Sequence, residues 1–276
     1  WLFLFTISSM AYVSKIYVGQ YNGAQKYKEA GHITWQLIIF SSISILIFAL
    51  AYLFSPLIVP SVVHKYGLDY FKILMLGGIT WPLSAAISGF LIGTYQTTIV
   101  LIILLAANTV NIILDLYWIP EFGTSGAAWA TITAMLLQTF CFFWMFLSPY
   151  NRKKYHTHRI RLDASLLLRA LRLGYPESAA HFFEMAAWAT IISIMALKGP
   201  EFLLISSLSQ NLFILFMFTY CELGNAVKTL AANYVGGNRL DCIPKLLSSA
   251  LKIHLIFVCI LLGITTINPD WLIEVF

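Results

Sequence analysis

Apolar residues run along this chain in stretches of about 20, the length that carries a helix across a hydrocarbon core of about 30 Å. Short polar breaks separate them. The pattern predicts spans at 1–19, 37–60, 70–94, 98–119, 124–148, 174–197, 202–232 and 246–266. A lone segment in lipid must satisfy its backbone N–H and C=O groups internally, so each span is expected to be helical. The predicted fold class is therefore all-α: a polytopic membrane bundle of about eight helices. The longest polar stretch, 149–165, divides it into an N-terminal part at 1–148 with about five helices and a C-terminal part at 166–276 with about three.

Composition agrees with the pattern. The chain is 59% hydrophobic and only 11% charged, with mean hydropathy +0.80, whereas soluble domains carry about a quarter charged residues. A net charge of +5 would suit nucleic acid if the basic residues formed a motif or patch, but they collect between the spans and no such motif accompanies them. Alternation of the spans puts 14 Lys and Arg on one side: Lys15, Lys26 and Lys28, the seven from Arg152 to Arg172, then Lys228, Arg239, Lys245 and Lys252. Lys65, Lys72 and Lys198 fall on the other. The positive-inside rule makes the first side, with loop 149–165, cytoplasmic. A multi-pass protein of a cell inner membrane is expected, with lipids and no nucleic acid as partners.

Cys141, Cys221, Cys242 and Cys259 lie far apart without a CxxC pair and read as free thiols. His156 and His158 form an HxH in the basic loop, which without further ligands reads as solvated loop rather than a metal site. The chain opens on Trp1 inside an apolar run with no signal-peptide pattern, as an internal fragment would. Proline and glycine at Pro82, Gly89, Gly93, Gly174 and Pro176 are expected to mark kinks or close helix contacts, as are Gly19 and Gly23, four apart. An offset of 213 aligns Lys15 with Lys228, Gln20 with Asn233, Tyr21 with Tyr234, Gly23 with Gly236 and Lys26 with Arg239. Both copies occur where a span meets a cytoplasmic break, which implies two repeats related by an axis along the membrane normal.

Glu184 carries the strongest chemical signal. Ten residues into its span, it should lie about 15 Å deep, where an ionised carboxylate costs about 2.5–3.5 kcal/mol on insertion scales. Such groups are usually functional, binding and releasing a proton or a cation. His181 and Glu177 share a similar face and could instead partner it quietly. Asn108, Asn111 and Asp115, at i, i+3 and i+7, form a second polar stripe that either lines a cavity or hydrogen-bonds between helices. Ser206, Ser207, Ser209, Gln210 and Asn211 form a third, nearer the outer end of their span. No GxxxxGK[ST] loop, HExxH or nucleophile–base pair occurs, so neither an ATP motor of that kind nor an enzyme is expected, and ion coupling is the simpler energy source.

Three stretches resemble a known family. VGQYNGAQKYKEA at 18–30 resembles the second-helix signature of the multidrug and toxic compound extrusion (MATE) transporters, and AANTVNIILDLYWIPEFGTSGAAWAT at 106–131 resembles their fifth- and sixth-helix signature. GYPESAAHFFEMAA at 174–187 is similar to the seventh helix of the NorM branch, where a Glu follows Phe-Phe. The resemblance implies helices two to nine of a twelve-helix, two-lobe, alternating-access transporter acting as a monomer without a cofactor. It implies that Glu184 is the cation-coupling acid of the second lobe and that Asn211 lines the cavity, with Ser207 standing where a glutamine is frequent. The expected activity is export of amphipathic or cationic organic compounds, drugs and toxins, by antiport with Na⁺ or H⁺. A lipid-linked oligosaccharide flippase of the same superfamily is the alternative. Interior basic residues would bind pyrophosphate there, and the spans carry few. An intramembrane enzyme or structural subunit lacks support from catalytic pairs and from the repeat.

Overall fold

The computed structural model describes residues 1–59 and 64–267, and among these every regular element is a helix. In chain order they are α1 (Leu2–Tyr12), α2 (Ser14–Gly23), α3 (Tyr27–Ile43), α4 (Ile45–Leu53), α5 (Ser55–Ile58), α6 (His64–Leu76), α7 (Thr80–Gly93) and α8 (Thr97–Phe122). There follow α9 (Thr124–Phe146), α10 (Pro149–Tyr155), α11 (Ala164–Lys198), α12 (Pro200–Gly236) and α13 (Cys242–Ile267). Seven spans are long and apolar enough to cross a membrane, or eight if α6 and α7 count as one bent span. Helices α3, α11 and α12 begin or end outside the apolar runs, at Tyr27, Ala164 and Gly236. Polar residues continue a helix as readily as apolar ones, so hydropathy marks the lipid-buried part and not the helix end.

Each break inside a span has a local cause. Between α3 and α4, Ser41, Ser42 and Ser44 turn their hydroxyls back to the carbonyls of Leu37, Ile38 and Ser41 at 2.8, 2.9 and 2.7 Å, which competes with the helical ladder and bends it. Between α6 and α7 the axis turns by 46°. The turn sits at Gly77 and Gly78, whose missing side chains admit Ile132 of α9 and the Phe48 ring of α4. The expected kink at Pro82 is thus displaced to this pair, while Gly89, Gly93 and Gly174 lie at close crossings against Ser14, Val18 and Met10.

Two apolar clusters form the interior. One gathers α2, α3, α7 and the end of α9 around Phe90, Phe146 and Tyr155; the other packs Leu4, Phe48, Leu74 and Ile132. Phe90 is fully buried, edge-on to Phe146 at 4.9 Å and to Tyr155 at 5.2 Å.

The 149–165 segment is more ordered than a solvated loop. Pro149 starts α10 after the Ser148 cap, the helix closes at His156 with φ 54°, and Asn151, Tyr155 and Thr157 are buried. The Trp35 indole donates to the Thr157 carbonyl at 2.7 Å, and buried Gln36 donates to the Arg161 carbonyl at 2.5 Å while accepting from the Asp163 amide at 2.8 Å. The polar segment is therefore stitched onto the middle of α3.

Candidate functional site

The offset of 213 read from the sequence relates structure as well as residues. At the end of α2, the Ala24, Gln25 and Lys26 amides donate to Gln20, Asn22 and Tyr21 at 3.0, 3.1 and 2.8 Å, with Gln25 at φ 58°. At the end of α12, the Gly237, Asn238 and Arg239 amides donate to Asn233, Val235 and Tyr234 at 2.9, 3.1 and 2.8 Å, with Asn238 at φ 55°. These are the same left-handed cap built twice.

The two ends also pack on each other reciprocally. A Cβ on Gly23 would overlap the Asn233 carbonyl, and one on Gly236 would overlap the Gln20 carbonyl, its counterpart under the offset. Gly19 faces Ala232, which is its own counterpart. Residue i meeting j′ while i′ meets j is the signature of a two-fold axis, here within one chain. The Asn233 side chain lies on this seam, donating to the Gly93 carbonyl at 3.2 Å and accepting from Asn22 at 3.0 Å, while Tyr155 donates to Asn22 at 3.0 Å.

Above the seam, α11 lies against α1 and α12 against α2. Ser178 donates to the Thr6 carbonyl at 2.7 Å and Gly174 abuts the Met10 backbone. Lys15 is 1% exposed, with its ammonium donating to Asn225 Oδ1 at 2.6 Å and lying 3.6 Å from the centroid of the Tyr12 ring. Lys228 pairs with Glu177 at 3.0 Å, and Glu222 stands within electrostatic reach of Lys15 with them. Lys15 and Lys228 lie within the predicted spans 1–19 and 202–232, and the basic-residue bias assigns them to the cytoplasmic side. Both sit inside helices, Lys15 about 12 Å before the end of its own. One interior basic residue, Lys15, is therefore present, which weakens the argument from their scarcity against the flippase alternative.

Glu184 lies three residues beyond the middle of the 35-residue α11. Its Oε2 is 3.4 Å from His181 Nδ1, and the two side chains are 33% and 36% exposed. Glu177, two turns earlier, shares that face, and Cys221 of α12 lies within reach of Glu177, Glu184 and Glu222. An acidic face of α11 thus meets polar residues of α12, and Glu222, Asn225 and the buried Lys15 join a grouping that hydropathy does not reveal. The signal for Lys15 was there, a lysine inside an apolar run.

The α8 stripe is divided. Asn108 is exposed and bonds its own helix at Leu104. Asn111 Nδ2 and Asp115 Oδ1 are both buried without a hydrogen-bond partner, with Asp115 close to Tyr70 of α6. On α12, Ser206 is buried and Asn211 exposed, and the side chain of Ser207 is outside the described residues. Of the residues singled out from the sequence, the described ion pairs and hydrogen bonds join Glu184 directly to His181. Among the described residues no group of three or more His, Cys, Asp or Glu could hold a metal ion.

Residues 1–117 match the MatE family model. A probable multidrug resistance protein, YoeA of Bacillus subtilis (strain 168), is 24% identical over 211 residues, covering 71% of this chain and 44% of that protein. Among solved structures, an outward-facing multidrug resistance MATE transporter of the MOP superfamily superposes with TM-score 0.82 at 16% identity, over 100% of this chain and 63% of that one. A MOP superfamily transporter from Pyrococcus furiosus, described as having reversed binding-pocket polarity, gives the same TM-score and identity over 99% and 63%. The chain thus spans less than half of the curated relative's length and under two thirds of these structures. The MatE pattern in its first 117 residues and a helical fold like that of solved MATE transporters along its length make this chain similar to the MATE family.

Proposed function

We propose that the chain forms the central part of a secondary transporter that exports amphipathic or cationic organic compounds by antiport with Na⁺ or H⁺, and that Glu184 binds the coupling ion. The observation that carries this reading is the Glu184 carboxylate, set near the middle of a membrane-crossing helix, with His181 its ion-pair partner among the described residues. A carboxylate at that depth, paired with an imidazole and not with a fixed cation, can take up and give up a cation at low cost in reorganisation. His181 would tune it, while Asn111, Asp115, Asn108, Ser207 and Asn211 would line other parts of the path. The division at 149–165 would separate two lobes of a monomer in a cell inner membrane, with the Gly23 and Gly236 ends cytoplasmic by the basic-residue bias.

The flippase alternative gains from Lys15 and Lys228, which place cationic groups between the repeats where a lipid pyrophosphate could be met. One experiment separates the two. Ethidium efflux from cells expressing the intact gene product is measured under imposed Na⁺ and pH gradients, for wild type and Glu184→Gln. Gradient-driven efflux abolished by the substitution supports the antiporter. Full efflux in Glu184→Gln refutes coupling through this residue, and no efflux from well-expressed wild type favours the flippase.

A further inference from the structure

We propose that Lys15 and Asn225 are positioning residues that lock the two repeats together near the Gly23 and Gly236 ends, with Glu177 and Glu222 offsetting the buried charge. This rests on the antiport reading and deepens it, since it names the contact that holds one access state. A buried ammonium needs acceptors for three N–H groups. Among the described residues Lys15 has one hydrogen bond, to Asn225 on the other repeat, and a Tyr12 ring face.

The acids that offset its charge also come from the second half of the chain, Glu177 on α11 and Glu222 on α12. The ammonium is therefore compensated only while α2 lies against α12. Parting the helices would leave it without its acceptor and move it from both carboxylates, a state that a buried charge tolerates poorly unless water or a new partner replaces them. The neighbouring seam behaves similarly, since the Asn22–Asn233 and Asn233–Gly93 hydrogen bonds join the first half of the chain to α12. Lys15 differs from them in carrying charge, so its release is the step most sensitive to what enters between the repeats.

The test uses the intact gene product in nanodiscs, its native cysteines replaced, with nitroxide labels on Lys26→Cys and Leu240→Cys, exposed positions beside the two caps. Lys15→Met keeps the bulk and removes the charge. It is expected to raise the population with widely separated labels at least tenfold, while Lys15→Arg restores the wild-type distribution and Asn225→Asp narrows it. Should Lys15→Met fail to fold, Asn225→Leu is read in the same way. A folded Lys15→Met or Asn225→Leu protein with the wild-type distribution overturns the lock, whatever the efflux result. Because the distances are read without substrate or gradient, a shifted distribution in a protein that exports no ethidium upholds the lock and counts against the antiport reading alone.

Discussion

Substituting Gly23 by alanine probes the crossing that the structure places on its internal two-fold axis. The added methyl would overlap the Asn233 carbonyl, a main-chain atom that cannot rotate away. The helices must part, at an overpacking cost of about 1–3 kcal/mol. Separation also strains the Asn22–Asn233 and Asn233–Gly93 hydrogen bonds, each worth about 0.6 kcal/mol in a membrane bundle. The total is about 2–4 kcal/mol, or between one and three powers of ten in the ratio of closed to parted seam. Gly236→Ala should cost the same, because it meets Gln20 in the mirrored contact, and the double substitution should cost less than the sum, since one separation relieves both overlaps. Thermal unfolding in detergent, followed by tryptophan fluorescence, should show a fall in Tm of several degrees for each single variant. Gly224→Ala on the same α12 is the control. Nothing lies within 4 Å of its added methyl, and alanine gains up to about 1 kcal/mol of helix propensity. A Gly23→Ala protein that melts like Gly224→Ala would refute the reasoning.

Other substitutions test the remaining contacts. Phe90→Ala removes a ring buried between Phe146 and Tyr155 and should cost about 3–5 kcal/mol, read as a large drop in Tm and weakened protection of α10 in hydrogen exchange. Gln36→Ala should expose 156–163 to protease without displacing the spans, because that side chain alone ties both Arg161 and Asp163 to α3; unchanged cleavage would contradict it. The Leu166 amide and the Ser165 hydroxyl hold the Asp163 carboxyl below the usual carboxylate range. A lowered folded value means its capping contribution is complete above the unfolded pKa, about 3.9, and is lost as pH falls through the lower one. Protection of residues 164–167, corrected for intrinsic exchange, should thus be flat from pH 7 to about 5 and fall at lower pH. Asp163→Asn should keep the cap without that loss, and Asp163→Ala should fray the first turn at every pH.

The sequence by itself determined the membrane-crossing helices, because lipid leaves each span one way to satisfy its backbone, so apolar length fixes element type and number. It also carried the repeat, whose paired glycines reappear as two identical caps, and it drew attention to Glu184 because a carboxylate in an apolar run has no cheap structural reason. Helix ends at Tyr27, Ala164 and Gly236 were not legible in hydropathy, which senses solvent and is indifferent to a helix continuing into water. Only the tertiary structure decided which interior polar residues meet. Lys15 reads as a lone lysine in an apolar run, without a partner, until α12 brings Asn225 to it across 210 positions of sequence, and the Asn108 stripe reads as one face until packing exposes Asn108 and buries atoms of Asn111 and Asp115. Periodicity reports the face on which a residue stands. What that face touches is set by helix crossings, and those are chosen by close contacts such as Gly23 on Asn233, between residues far apart in the chain.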